Sequence, residues 1–199
     1  MTGDVVVVRT GSANLASVLA ALQRLGATPR LSSDVADIRR AERLVLPGVG
    51  SYGGAQSALA RAGLVEAFAD RVRAGSPLLA ICLGLQLLAE GSDESPGVRG
   101  MGLIAGCATR LPDSVRVPQL GWNTVTTRDD TSVLRSGFAY YANSYALRSA
   151  PDGWSHATTT HGAPFVAAIA RGPQLACQFH PELSGRWGHA LLTRWWAAC

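Results

Sequence analysis

Pro77-Leu78-Leu79-Ala80-Ile81-Cys82-Leu83-Gly84-Leu85-Gln86 passes from an apolar, strand-like run, Pro77 to Ile81, into a helix-like run beginning at Gly84. A cysteine stands on the turn between them. Upstream, the same strand-then-helix rhythm recurs. Val5 to Val8 is a continuous β-branched run, the pattern of a parallel strand covered on both faces. Leu15, Val18, Leu19, Leu22 and Leu25 then repeat at helical spacing, and Gly26 stops that helix. Thr28 to Leu31 and Arg43 to Leu46 predict two further strands, and Ala55 to Ala62 with Val65 to Arg73 a pair of helices. This alternation predicts an α/β fold with a doubly wound, mostly parallel sheet and flanking helices.

Downstream the pattern changes. From Gly102 to Phe179, short β-like runs follow one another, among them Thr124 to Thr127, Ala139 to Ala142, Ser155 to Thr160 and Phe165 to Ala170. Turn signals separate them: Gly106, Pro112, Asp129-Asp130, Pro151-Asp152-Gly153, Gly162 and Gly172-Pro173. These runs predict additional antiparallel strands, which make the sheet system mixed, and Trp187 to Ala198 predicts a closing helix. No linker, repeat or low-complexity run interrupts the chain, so residues 1–199 are expected to form a single domain.

The second informative stretch is Gln178-Phe179-His180-Pro181-Glu182. Pro181 pushes His180 toward extended backbone, where residues two apart share a face, so His180 and Glu182 are expected to point the same way. Singly, Cys82 reads as a small buried hydrophobe and His180 as a structural residue. Jointly they supply a nucleophile, a base and an orienting carboxylate. A cysteine on a strand-to-helix turn meets helix amides and the positive end of the dipole, which favour thiolate, and Gly84 permits the tight path of the elbow. Sites in a doubly wound sheet lie outside the carboxyl ends of the strands. Both Cys82 and His180 follow strand-like runs, and the loop Pro47 to Tyr52 leaves a strand at the same rim.

Composition sets the class. With 199 residues, 47% hydrophobic and 16% charged, the chain is globular, and no apolar run is long enough to cross a bilayer. The opening leads straight into the Val5–Val8 strand rather than a signal core, so a soluble, cytoplasmic protein is expected. Cys82, Cys107, Cys177 and Cys199 show no metal or disulfide spacing and read as reduced thiols. All 18 basic residues are arginine and the net charge is +4, but the arginines are scattered without interleaved aromatics. Neither nucleic acid nor membrane is an expected partner, and no cofactor or metal is expected.

Cys82-Leu83-Gly84-Leu85-Gln86 with Phe179-His180-Pro181-Glu182 resembles the class I, or triad, glutamine amidotransferases. Leu46-Pro47-Gly48-Val49-Gly50-Ser51-Tyr52, Gly121-Trp122-Asn123 and Asn143-Ser144-Tyr145 narrow the resemblance to the glutaminase subunit of imidazole glycerol phosphate synthase, an enzyme of histidine biosynthesis. It runs from Asn14-Leu15-Ala16-Ser17-Val18 to the final helix. It implies that Cys82 attacks the side-chain amide of glutamine and that His180 protonates departing ammonia and then activates water, with Glu182 holding the imidazole. It implies oxyanion donors at the amide of Leu83 and in Gly48-Val49-Gly50, each worth about 3–4 kcal/mol. Gly50, Gln86, Ser144 and Tyr145 are implied to bind glutamine, and Trp122 to face the partner; a core aromatic is the competing reading of Trp122. The implied partner is a separate cyclase subunit of (β/α)8-barrel type, since no acceptor domain is left in these residues and ammonia loose in water is protonated and lost. The chain departs from the family pattern at Asn143, commonly His, at Leu183, commonly Lys, and at Ala13, usually Gly. His156, His161 and His189 match nothing catalytic and are expected on the surface or in loops. Two other readings stand beside this one: the glutaminase of another ammonia-channelling synthase, such as pyridoxal phosphate synthase, and a catalytically silent regulatory subunit.

Overall fold

The computed structural model describes residues 3–9, 15–128, 131 and 133–199. The first half is a run of strands and helices: β1 (Gly3–Val8), α1 (Leu15–Arg24), β2 (Ala27–Ser32), α2 (Val35–Arg40), β3 (Arg43–Gly48), α3 (Tyr52–Arg61), α4 (Leu64–Arg73), β4 (Leu78–Cys82) and α5 (Leu83–Leu88). Short strands fill most of the second half: β5 (Gly91–Ser92), β6 (Cys107–Arg110), β7 (Gln119–Val125), β8 (Gly137–Asn143), β9 (Tyr145–Leu147), β10 (Ser155–His161), β11 (Ala163–Arg171) and β12 (Gln174–Cys177). A 3-10 turn, Pro181–Leu183, leads into α6 (Gly185–Ala198).

Among the described residues the main sheet has seven strands in the order β10-β11-β12-β4-β3-β1-β2. Pairing is parallel from β2 through β12 and antiparallel for β12–β11 and β11–β10. The expected mixed, mostly parallel α/β sheet is present. Its hydrophobic strands divide by parity between two cores. Val5, Val7, Val45, Leu79 and Ile81 face one core, closed by α1, α6 and the β7–β8 hairpin. Val6, Val8, Leu44, Leu46, Leu78 and Ala80 face the other, beneath α2 to α5. Both faces of β1, β3 and β4 are thereby largely buried, which is why these segments read as continuous apolar runs rather than alternating ones, whereas β2 at the edge keeps exposed positions.

The register sets where the chemistry goes. Gly48 at the end of β3 pairs with Cys82 at the end of β4, and Cys177 at the end of β12 pairs with Ile81. Three neighbouring strands therefore deliver the 48–50 loop, Cys82 and the 178–182 segment to one rim.

Several elements are longer than the sequence suggested, such as α3, which begins at Tyr52, and β7, which begins at Gln119 and ends at Val125. Others were not anticipated, including α2, β5, β6 and β9. The turn signal Asp129-Asp130 and the positions Ala13 and Asn14 lie outside the described residues. Among the described residues, no helix is long and apolar enough to cross a membrane.

Candidate active site

Cys82 closes β4 and stands at the N-cap of α5 with φ 54 and ψ −109, the one positive φ at a non-glycine among the described residues. Such a backbone costs about 1–3 kcal/mol and persists only where its surroundings over-determine it. Here they do. A Cβ on Gly84 would lie 2.2 Å from the carbonyl oxygen of Leu46, and one on Gly48 would lie 2.6 Å from the amide of Gly84. The two glycines let α5 pack directly on the end of β3. The sequence reading put Cys82 on this turn, with Gly84 permitting its tight path; the positive φ falls on Cys82 itself, and Gly84 serves the close approach of helix and strand.

His180 lies just past β12 with φ −102 and ψ 94, extended as Pro181 requires. Its N–H donates to the carbonyl oxygen of Tyr140 on β8 at 2.8 Å. Ser184 Oγ donates to the His180 carbonyl at 2.6 Å and accepts from the Tyr140 amide at 2.9 Å, so both ends of the peptide unit are held. Glu182 meets His180 by a route other than the expected one: it sits in the Pro181–Leu183 turn, not on a continuing strand. The turn still brings the groups together, and the imidazole N–H at Nδ1 donates to Glu182 Oε1 at 2.8 Å with both side chains buried. That leaves Nε2 toward Cys82. Burial opposes charge on the ring, but hydrogen bonds to Cys82 and Glu182 and their negative charges outweigh it, raising the His180 pKa to about 10.

Cys82 and His180 open onto one cavity of about 310 Å³, whose wall also includes Val49, Gly50, Leu83, Gln86, Ser144 and Tyr145. The structure thus gathers most of the residues singled out in the sequence. Gly48 is the exception among the loop residues: it is buried in β3 and does not line the cavity. Trp122 is also off the cavity, 59% exposed on β7, which rules out the core reading of this residue. The cavity adds Glu94, Ala142 and Asn143. Glu94 accepts the Tyr52 amide at 3.2 Å, and Asn143 Nδ2 donates to the Tyr145 carbonyl at 3.2 Å. Glu94 follows Gly91-Ser92-Asp93 with no local pattern to mark it, and only the fold brings it in. Gln178, fully buried, touches the Cys82 sulfur.

The class I glutamine amidotransferase family matches residues 10–197. The chain is 40% identical over 195 residues to the imidazole glycerol phosphate synthase subunit HisH of Deinococcus radiodurans, covering 95% of this chain and 91% of that protein. The HisH subunit of Symbiobacterium thermophilum is likewise 40% identical, with 96% and 92% covered. The chain is a class I glutamine amidotransferase of the HisH family. A solved glutamine amidotransferase superposes with a TM-score of 0.78 at 20% identity, covering 98% and 97% of the two chains. PurLQS from Thermotoga maritima gives 0.76 at 19% identity, with 99% of each chain covered. At those identities the likeness bears on the fold.

Within this HisH-family fold, Asn143 is buried with its Nδ2 bonded in the cavity wall, while Leu183 is 38% exposed on the turn. His156 and His189 are exposed and His161 is partly buried, its Nε2 2.8 Å from the Arg116 carbonyl. None of the three borders the cavity.

Proposed function

We propose that this HisH-family chain hydrolyses glutamine to glutamate and ammonia at Cys82, His180 and Glu182, and passes the ammonia to a separate cyclase subunit of (β/α)8-barrel type in a heterodimer. There it serves synthesis of imidazole glycerol phosphate and an aminoimidazole carboxamide ribotide. The observation that carries the reading is a cysteine on a strained elbow beside a carboxylate-held imidazole, both opening onto one small-molecule-sized cavity.

The Cys82 sulfur attacks the carboxamide carbon, and the π pair moves to oxygen. The first amide of α5, from Leu83, has no intrahelical acceptor and is available to that oxyanion. Val49 and Gly50 border the cavity opposite, and Gly50 at φ 96 belongs to a loop with the freedom to turn a peptide plane toward it. His180 gives its Nε2 proton to the nitrogen as the C–N bond breaks, releasing ammonia and a thioester. It then takes a proton from water, whose oxygen displaces the sulfur and releases glutamate. Glu182 keeps Nδ1 protonated throughout. Gln86, Ser144 and Tyr145 form the wall against the substrate, and the Glu94 carboxylate suits the substrate ammonium.

A partner reading is supported by the β7–β8 hairpin, where Leu120, Trp122 and Phe138 are 64%, 59% and 60% exposed. Trp122 pairs in register with Tyr140, whose carbonyl holds the His180 amide. A subunit seated on that face would press on the strand that positions the imidazole, which favours gating by the partner. We take the setting to be the cytoplasm, where a catalytic thiol stays reduced.

Cys82→Ser should abolish glutamine-dependent synthesis by the reconstituted complex and leave synthesis from ammonium salt intact. Glutamine turnover at the wild-type rate by that variant would refute the reading. Selective labelling of Cys82 by a glutamine-like electrophile would separate it from a silent regulatory subunit.

A further inference from the structure

Gln178 is completely buried beside the cavity, and the reaction as derived above gives it no task. It belongs to a chain of hydrogen bonds whose direction is fixed at one end. The Tyr145 carbonyl can only accept, so the group 3.0 Å from it must be the Gln86 amide nitrogen. That same nitrogen donates to Gln178 Oε1, also at 3.0 Å. The Gln178 nitrogen is thereby turned to the Cys82 sulfur, 3.6 Å away. Flipping either amide would set two acceptors or two donors face to face. A backbone oxygen on β9 therefore determines that the sulfur meets an N–H.

We propose that Gln178 is a positioning residue that holds this N–H on the nucleophilic sulfur and couples the sulfur, through Gln86, to the glutamine pocket. The proposal rests on the glutaminase reading and deepens it. A thiol can give its proton to the Ala142 carbonyl, 3.8 Å away, but a thiolate needs a donor. Gln178 supplies one already in place, so no dipole has to reorganise when the proton leaves. Accepting from Gln86 polarises the Gln178 amide and makes its N–H the stronger donor. A change at Gln86 is then felt at the sulfur without any direct contact between the two.

The test is the rate at which iodoacetamide alkylates Cys82 across pH, followed by peptide mass mapping so that the exposed Cys107 and Cys199 do not confuse the count. Gln178→Met keeps the shape and removes the donor. It should slow alkylation at neutral pH about tenfold, the scale of one lost hydrogen bond to a charged group, and displace the profile to higher pH. Gln178→Glu, which adds a negative charge at the same place, should slow it further. Gln86→Met should give a smaller displacement, and the Gln86→Met/Gln178→Met double variant should be no slower than Gln178→Met alone, the non-additivity of one shared path. In the complex, Gln178→Met should lower kcat with little change in KM. Folded Gln178 variants with the wild-type pH profile would overturn the relay. The Cys82→Ser experiment decides the glutaminase reading separately, so failure of one is not mistaken for failure of the other.

Discussion

Burial alone would keep the His180 ring neutral; its hydrogen bonds to Cys82 and Glu182 and their charges are what raise its pKa from 6.5 to about 10. A group raised on folding stabilises the native state fully below its unfolded value and loses that contribution as pH climbs through its folded one. His180 therefore stabilises the fold below about pH 6.5 and progressively less toward pH 10. Glu182→Gln keeps the shape of the carboxylate and removes its charge. We expect the His180 pKa to fall, read by imidazole NMR, and the melting-temperature gap from wild type to be widest near pH 6 and to narrow toward pH 10. Turnover should drop about 10⁴-fold, the cost of neutralising the carboxylate that orients a triad imidazole. A gap independent of pH would contradict this account. At this scale the proposed triad of Cys82, His180 and Glu182 was legible in the sequence, because each member sits in a local context that such chemistry demands. Gln178 and Glu94 could not, since a buried amide or a loop carboxylate has no local mark until the fold supplies its partners.

Helix α6 holds the Pro181–Leu183 turn by contact at one glycine. A Cβ on Gly188 would stand 2.1 Å from the Pro181 carbonyl oxygen and 2.7 Å from the Ser184 side chain. Pro181 lies between His180 and Glu182, so Gly188→Ala must push the turn that joins them. We expect a loss of about 1–3 kcal/mol in stability from overpacking. A displacement near 1 Å costs catalysis about 10²-fold, so the fall in turnover should exceed what the lost stability explains, as thermal melts and assays of the complex would reveal. Unaltered turnover would mean that the turn is not held this way. Among the elements, β1, β3 and β4 were legible because burial on both faces leaves an unbroken apolar run. Helix α2 was not, although Asp34 caps it by accepting the amides of Ala36 and Asp37. At six residues, it is too short for hydrophobic periodicity to register. The two- to four-residue strands β5, β6 and β9 exist only because each finds a neighbour in space.

At the scale of the molecule, three of the four large exposed hydrophobic side chains among the described residues, Leu120, Trp122 and Phe138, gather on one hairpin face, where Trp122 stands edge-on to Tyr140 with ring centroids 6.3 Å apart. Trp122→Ala should leave the melting temperature of the isolated chain nearly unchanged, since the ring is mostly in water. It should weaken binding of the candidate cyclase by about 2 kcal/mol or more, the threshold of an interfacial hot spot, or roughly 30-fold in Kd. Unaltered affinity by titration calorimetry would move the docking face elsewhere.

The sequence by itself determined the layered α/β class, the cysteine elbow and the His–Pro–Glu segment, because hydrophobic period, a proline's steric demand and residue chemistry act over a few neighbours. Only the tertiary structure decided that β3 and α5 meet at Gly48 and Gly84, that Glu182 arrives on a turn, and that Gln178 aims its amide at the sulfur. Those outcomes depend on how closely β3, α5, β9 and β12 approach one another. Such distances arise between segments far apart in the chain, and close packing of the rim sets them.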